Sequence, residues 1–352
     1  MDTQYYDGTK LLSMKDINGN TPEIFMCTSN RSAGKTTYFE RLLVNRFLKN
    51  GSKFGVVYRF NYELDDCAQQ FFGEIQGLFF NEYEMLSEKR AKGVYHELFI
   101  RNKITDEKKS CGYAMALNNA DVIKRKSHLL NDITSLFFDE FQSETNHYCD
   151  NEVKKFLSLH KSLARGGGKQ VKYLPVYMVS NPVTIINPYY VKMGISSRLT
   201  DEVNFLRGDG FILEKNFNES ASEAIKSSGV SRAFADDPYI AYSAESVYLN
   251  DNISFIETPP STRCKYLATI RYEGKNFAIK EYRDSGIVYC DDKPDNSFPY
   301  KLSVTLDDHT INYVMLKNND MFISNLRWFF QHGSFRFKDI RCKEALLKCI
   351  SY

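Results

Sequence analysis

An α/β fold is what this sequence predicts: a parallel sheet with helices on both faces, followed by a smaller α+β domain. Three observations predict it. SAGKTT, a glycine–lysine–threonine loop, sits between the apolar segment EIFMCTS, from Glu23, and the amphipathic segment TTYFERLLVNRFLKNG, from Thr36. SLFFDEF, from Ser135, is an unbroken apolar run that ends in two acids, as in the buried middle of a parallel sheet. Strand-like and helix-like segments alternate over the first part of the chain, which implies crossover connections.

The elements follow in order. EIFMCTS reads as a short buried strand, the loop follows, and the helix from Thr36 stops at Gly51. FGVVYRF, from Phe54, is a second strand and ELDDCAQQFFGEIQGLFF, from Glu63, a second helix. YHELFIRNKI and SCGYAMAL form a hairpin across TDEKK. The strand SLFFDEF precedes the helix NEVKKFLSLHKSLARGGG, which three glycines end, and YLPVYMVSNP, from Tyr173, is another central strand. The first domain is expected over residues 1–205. Residues 206–245, polar, rich in Ser and Gly and weakly periodic, are expected as a linker region with a short helix. Residues 246–352 form the second domain: short strands in SVYLND, CKYLATIRY, FAIKEY, GIVYCDD and YKLSVTL, the helix NDMFISNLRWFFQHG, and a basic tail, FRFKDIRCKEALLKCISY.

The bulk composition allows this. The chain has 352 residues, room for two ordinary domains, and 26 Phe and 23 Tyr supply a sizeable core. A net charge of +2 neither demands nor excludes nucleic acid, because a local basic surface can hide in a balanced total. None of the eight cysteines forms a CxxC pair, which argues against a zinc ribbon. No apolar leader and no run of about 18 apolar residues is present, so neither export nor membrane insertion is expected. With scattered thiols, this points to a reducing cytoplasm.

The loop carries the chemistry. In GxxxxGK[ST], backbone N–H groups surround phosphates at a helix N-terminus. Ser29, Asn30, Arg31, Ser32, Ala33, Gly34, Lys35 and Thr36 occupy those positions, and Thr37 follows as a further candidate. Gly34 lets the backbone come close, Lys35 neutralises β- and γ-phosphates, and Thr36 offers its hydroxyl to Mg²⁺. Ser29 stands where the pattern has glycine, though a small residue can still make the turn. The second half of the signal is Asp139-Glu140 at the end of SLFFDEF, where the Asp holds Mg²⁺ and the Glu polarises the attacking water. Alone, this could equally be a buried strand with two acids at its wet end. Together with the loop it predicts an ATPase, a P-loop NTPase of the ASCE type, with an extra strand between the two motifs. VYMVSNP ends in Ser180-Asn181, and Asn181 either touches the γ-phosphate or lytic water or serves as a turn before Pro182.

These pieces resemble a known family. The RSAGKT loop with an internal arginine, FFDEF, and VSNP about 40 residues later are similar to the DNA-packaging (encapsidation) ATPases of the phi-twenty-nine-type podophages, relatives of the terminase large-subunit motors. VVYRFNYEL, from Val56, NRFLKNG and HGSFRF, from His332, also resemble family segments. The resemblance is dense over residues 20–190 and thin over 205–255. It implies a homo-oligomeric ring, a pentamer, that hydrolyses ATP to drive double-stranded DNA into a prohead, in the host cytoplasm and transiently on the portal vertex. It also implies that Arg165, in LARGGG, is a finger acting on a neighbour's ATP, that Lys126 is a second cation across that interface, and that Arg59 touches phosphate. The plain alternatives are a cationic helix end for Arg165, a solvated basic run for Lys126 and a surface salt bridge for Arg59. The stretch 124–126, Lys169 and Lys172 are candidates for phosphate-tracking DNA contacts.

The resemblance further implies a ribonuclease-H-like second domain. A working nuclease of that kind needs an inward aspartate on its first strand, to hold two metals with other carboxylates. CKYLATIRY offers Thr269 and Arg271 instead, and Asp291-Asp292 after a later strand read as a turn, so a degenerate nuclease domain is expected. In the relatives this domain docks on the portal and a packaging RNA; the basic tail suits such docking, and the sequence leaves the RNA open. Three other readings remain. A ring motor of the helicase or conjugation type would share Lys35, Asp139 and Glu140. An inactive nucleotide-binding scaffold has only Ser29 in its favour. A metal-dependent nuclease lacks the strand aspartate.

Overall fold

The computed structural model describes residues 5–67, 71–145, 147–165, 170–185, 187–196, 198–199, 203–245, 248 and 255–350. The chain divides into two compact units, Met1–Asn250 and Asp251–Tyr352.

The first unit is built on nine strands: β1 (Ile24–Thr28), β2 (Lys53–Tyr58), β3 (Tyr83–Arg90), β4 (Tyr95–Asn102), β5 (Lys108–Ala116), β6 (Ile133–Asp139), β7 (Val176–Ser180), β8 (Phe205–Gly208) and β9 (Phe211–Lys215). Their order is β3-β4-β5-β2-β6-β7-β1-β9-β8. The run from β5 to β9 is parallel, and β3, β4 and β8 add antiparallel edges. β7 lies between β1 and β6, so the loop strand and the acid strand are separated by one strand, as the sequence predicts.

The helices are α1 (Thr9–Ser13), α2 (Lys35–Asn50), α3 (Asn61–Cys67), α4 (Gly73–Phe79), α5 (Ala120–Lys124), α6 (Glu152–Leu163), α7 (Pro188–Met193), α8 (Glu219–Ser227), α9 (Gly229–Ala233) and α10 (Pro238–Glu245). Successive side chains of a strand face opposite ways, and here both faces are buried. Met26, Leu136, Phe138, Val176 and Met178 join one core with Phe156, Leu159 and Leu163 of α6. Phe25, Cys27, Phe137, Tyr177 and Val179 join another with Phe39, Leu43, Val44 and Phe47 of α2. Helices therefore cover both faces of the sheet. No helix among the described residues is long and apolar enough to cross a membrane.

Three expectations need correction. The single helix expected from Glu63 is two, α3 and α4, because Phe71 and Phe72 turn inward beneath Phe54 and Phe72 takes a left-handed φ of 57°. The strand β3 was not expected, since only Met85 among its eight residues is fully buried. Residues 206–245 are not a linker. FLRG and FILEK pair across Asp209-Gly210, and β9 extends the sheet beside β1 with Phe211, Ile212 and Leu213 in the core. The polar helices α8–α10 belong to this first unit.

The second unit contains β10 (Lys265–Tyr272), β11 (Lys275–Tyr282), β12 (Ile287–Asp291), β13 (Lys301–Ser303), β14 (Val314–Met315) and β15 (Phe335–Phe337), with α11 (Asp320–Gln331) and α12 (Ile340–Ile350). The sheet order is β14-β13-β10-β11-β12-β15. β10, β11 and β12 are an antiparallel meander; β13 is parallel to β10, β14 to β13 and β15 to β12. The expected basic tail is structural: Phe335 and Phe337 point inward, and α12 buries Cys342, Ala345, Leu346 and Cys349, a spacing that puts all four on one helical face. The expected strand SVYLND lies outside the described residues apart from Tyr248.

Candidate nucleotide site

β1 ends at Thr28, the chain turns through residues 29–34, and α2 starts at Lys35, so the loop delivers its backbone to a helix N-terminus. Gly34, at φ 89°, and Ser32, at φ 59°, wrap the turn. Ser29 does not take a left-handed φ, so the position needs no glycine; its hydroxyl donates to the Asn30 carbonyl at 3.0 Å. Asn30 is buried and locked by two bonds to Asn218, which caps α8: Nδ2 donates to the Asn218 carbonyl and Oδ1 accepts from its amide, each at 2.9 Å.

Parallel pairing sets the ends of β1, β7 and β6 side by side, with Thr28 opposite Ser180 and Asp139 opposite Val179. Five side chains converge there. Lys35, buried, donates from Nζ to Asn181 Oδ1 at 2.7 Å. Thr36 Oγ1 donates to Asp139 Oδ1 at 3.3 Å, and that oxygen also accepts the Glu140 amide at 2.9 Å. Glu140 takes a left-handed φ of 53°, which turns its carboxylate out of the strand toward solvent. Burial lowers the Lys35 ammonium below its ordinary range and raises Asp139 above its own. Despite its access to solvent, the crowded cleft and the nearby Asp139 push Glu140 up to about 7. The Ser180 hydroxyl is buried with no hydrogen-bond partner among the described residues.

The chain matches the family model of the podovirus DNA encapsidation protein (Gp16) over residues 1–350. It belongs to that family. DNA encapsidation in a phage is thus its function. The DNA packaging protein of Bacillus phage phi29 is 24% identical over 337 residues, 95% of this chain and 93% of that protein. That of Bacillus phage B103 is 25% identical over 328 residues, 92% of this chain and 93% of the relative. Among solved structures, the bacteriophage Phi-29 viral genome packaging motor assembly aligns with a TM-score of 0.69 at 22% identity, covering 98% of this chain and 99% of that one. The Phi-28 gp11 DNA packaging motor aligns at 0.60 with 15% identity, covering 100% and 99%.

Other expected residues of this encapsidation protein fall elsewhere. Arg59 is buried and forms a buried ion pair rather than a surface one. Its Nε donates to Glu152 Oε2 at 2.9 Å, and Nη2 donates to the carbonyls of Glu140 and Phe141 at 3.1 and 2.9 Å. The guanidinium also lies over the rings of Phe138 and Tyr148. These hydrogen bonds position the Glu140 backbone. Lys172 is a correction, since its ammonium caps the carbonyls of Asn131 and Ile133 at 2.5 and 2.6 Å. Lys124 and Arg125 are exposed; Lys169 lies outside the described residues. Arg165 is exposed just after α6, and Lys126 is half-buried after α5. The structure does not bring either to Lys35, Asp139 and Glu140 of the same chain. In the second unit, Asp291 pairs with Lys280 and Asp292 with Lys338, each at 2.5 Å, and Arg271 lies 3.8 Å from Asp308. No group of three or more His, Cys, Asp or Glu among the described residues is placed to hold a metal.

Sequence reasoning missed two sets of residues in the encapsidation protein. Tyr5 and Tyr6 strap the loop: the Tyr6 amide donates to the Ala33 carbonyl at 2.7 Å, and its hydroxyl donates to Glu214 Oε2 at 2.7 Å. On the other side, the Arg31 guanidinium pairs with Glu144 and lies over Tyr239, while its amide donates to the Ser243 carbonyl at 3.0 Å. Tyr242 donates to Glu144 at 2.6 Å. Burial raises the Glu144 carboxyl, but the bonds from Tyr242 and Arg31 outweigh it and hold the group below its ordinary range. A tyrosine pair near the start of the chain and a glutamate four residues after Glu140 carry no recognisable pattern of their own.

Proposed function

We propose that this encapsidation protein is a P-loop ATPase of the ASCE type that drives double-stranded DNA into a prohead. The observation that carries it is the convergence of Lys35, Thr36, Asp139, Glu140 and Asn181 at the ends of three adjacent parallel strands. The loop amides at the start of α2 hold the β- and γ-phosphates, and Lys35 balances their charge. Glu140 accepts the proton of the attacking water, and Asn181, already bonded to Lys35, orients the γ-phosphate side. The Thr36 hydroxyl and Asp139 carboxylate are hard oxygen donors directed at one point, and the burial that raises Asp139 would be relieved by a cation. They fit Mg²⁺, which when bound supplies charge neutralisation at the phosphates.

The ATP sites are shared in a ring of five. Arg165 serves the neighbour's site, with Lys126 as a second cation. α6 starts at Glu152, beside Arg59 and the Glu140 backbone, and the Lys172 amide bonds the Ala164 carbonyl at its far end, where β6 begins. Arg165 therefore lies at the opposite end of the sheet from its own Glu140. The second unit is ribonuclease-H-like and does not cut DNA. The order β12-β11-β10-β13-β14, three antiparallel strands then two parallel to the first, supports that fold, and Thr269, Arg271 and the lysine-paired Asp291 and Asp292 support the loss of nuclease chemistry. This unit docks on the portal, and on a packaging RNA where one is used, through exposed cations such as Lys348, since its tail aromatics Phe335 and Phe337 are in the core. Lys124 and Arg125 track DNA phosphates.

The test is steady-state ATP hydrolysis by the full chain, with and without long double-stranded DNA. DNA-stimulated turnover that Lys35→Ala abolishes is the expected result. Tight ATP binding with no turnover under any assembly condition would instead establish an inactive scaffold.

A further inference from the structure

Just past the end of β2, three rings form a ladder. Phe60 stacks on Tyr62, with centroids 5.4 Å apart and planes at 11°, and on His147, at 4.6 Å and 26°. Phe60 is half-buried and packs against the core that Phe138 and Phe156 join. Its two partners stand in water: Tyr62 is 59% exposed, and His147 is exposed. The ladder is nevertheless held still. Glu63 accepts the amides of Arg59 and Phe60 at 2.9 and 3.0 Å, which fixes the turn into α3. The His147 amide donates to Ser143 Oγ at 3.0 Å, and the Ser143 amide donates to the Tyr148 hydroxyl at 3.1 Å. β5 ends beside β2, with Ala116 opposite Tyr58, and Asn119 Nδ2 then donates to Asn61 Oδ1 at 2.7 Å. α5 starts at the next residue, and its 5 residues, ~7.5 Å long, lead from that bond to the exposed cations Lys124 and Arg125. A fixed aromatic ladder in water and a pair of cations thus share one end of the sheet.

We infer that Tyr62, Phe60 and His147 are a stacking platform for an unpaired base of the DNA being encapsidated, with Lys124 and Arg125 on the phosphates beside it. For the phosphates, this rests on the role proposed above for those two cations. Every base has a flat π-face, so a stacking platform accepts any sequence, as the handling of a whole genome requires. Bases inside a closed duplex already stack on one another, so only a base outside the helix, at a strand end or an opened step, can seat on the ladder. The cations beside the rings favour a polyanion over an apolar protein segment. None of the three rings belongs to the phosphate loop or to the acids of β6.

Fluorescence-anisotropy titration of the full chain tests this, with a labelled single-stranded oligodeoxynucleotide, its abasic counterpart carrying the same phosphates, the duplex, and RNA of the same sequence. Wild type should bind the natural DNA strand about tenfold tighter than the abasic one, the effect of a single stacked base. Tyr62→Leu and His147→Ala should each bring the natural strand down toward the abasic strand while leaving the abasic strand unchanged. Tyr62→Phe should keep the preference, and duplex binding should not respond to Tyr62→Leu. Equal binding of natural and abasic strands by wild type, no effect of either variant, or parallel loss on both strands overturns the platform. A duplex that loses as much as the single strand on Tyr62→Leu overturns the unpaired base. RNA bound tighter than DNA, with the same dependence on Tyr62, overturns DNA as the occupant. Abasic binding unmoved by Lys124→Ala combined with Arg125→Ala overturns the phosphate contacts alone, and failure of wild type to bind any strand overturns both.

Discussion

If Arg165 completes a neighbour's site, two inactive proteins should make an active mixture. The distance argument comes from two rulers. α6 has 12 residues, so it is ~18 Å long. β6 has 7 residues and spans ~23 Å from the end near Lys172 to Asp139. Both exceed the reach of an arginine side chain, so Arg165 cannot serve the Glu140 of its own chain. Arg165→Ala and Glu140→Gln should each lower turnover by about 10³. Co-expressed with different tags, so that mixed rings can be purified through both, they should recover activity. An interface works when the subunit supplying Glu140 carries the Arg165 change and its neighbour carries the Glu140 change. Random mixing gives this at about a quarter of interfaces, so turnover should rise about a hundredfold or more over either parent. Doubly tagged rings no faster than the mean of the parents would refute a shared site.

Arg59→Met should destabilise the first unit by about 3–5 kcal/mol in chemical denaturation, because Glu152, whose side chain is 1% exposed, is left as an unpaired buried charge; a phosphate-contacting arginine would leave stability unchanged and weaken only nucleotide binding. Burial pushes Glu344 up to about 7 against its ordinary 4.5, in spite of a bond from Tyr272. The folded state then binds the extra proton between those values, so stability is full below pH 4.5 and is lost as pH rises through 7, by about 3 kcal/mol. Trp328, the only tryptophan, reports on this unit, so urea midpoints by its fluorescence should fall with pH in wild type and stay flatter in Glu344→Gln. Asn30→Ala should cost about 1–3 kcal/mol, since it removes both buried bonds to the Asn218 backbone, and the loss should appear as faster amide exchange in α8.

What was legible in the sequence was local. The strand, loop and helix around Lys35 announce themselves by an apolar run, a glycine and a helical period within 30 residues. Asp139 and Glu140 are legible because an apolar strand ends in them. What failed was long-range. The guanidinium of Arg59 is consumed by Glu152, 93 residues on, and no local pattern at VVYRF announces that partner. The region 206–245 looked like a linker because α8–α10 are mostly polar and short. They are held by single contacts of great sequence separation, such as Asn30 to Asn218 across 188 residues, and by Tyr242. The hairpin β8–β9 was missed because two strands of four and five residues carry little periodicity, although Asp209-Gly210 between them is a turn signal.

The departures of this loop from the glycine-rich pattern have a common physical sense. Ser29, Asn30 and Arg31 occupy positions whose side chains point away from the phosphate cradle, and each is tied to something. Ser29 bonds the Asn30 carbonyl within the loop, and Asn30 fastens the loop to the start of α8. Arg31 fastens it to Glu144 and to the last turn of α10 through Ser243. On the far side of the cradle, Lys35 holds Asn181. Asn181 in turn lies beside Glu144 and Tyr242. The two ends of the loop therefore meet at one carboxylate. On the nucleotide reading proposed above, a phosphate that draws Lys35 toward itself loosens its bond to Asn181, whose neighbours Glu144 and Tyr242 seat α10. An arginine in the loop thus serves attachment as well as charge, and a glycine there could do neither.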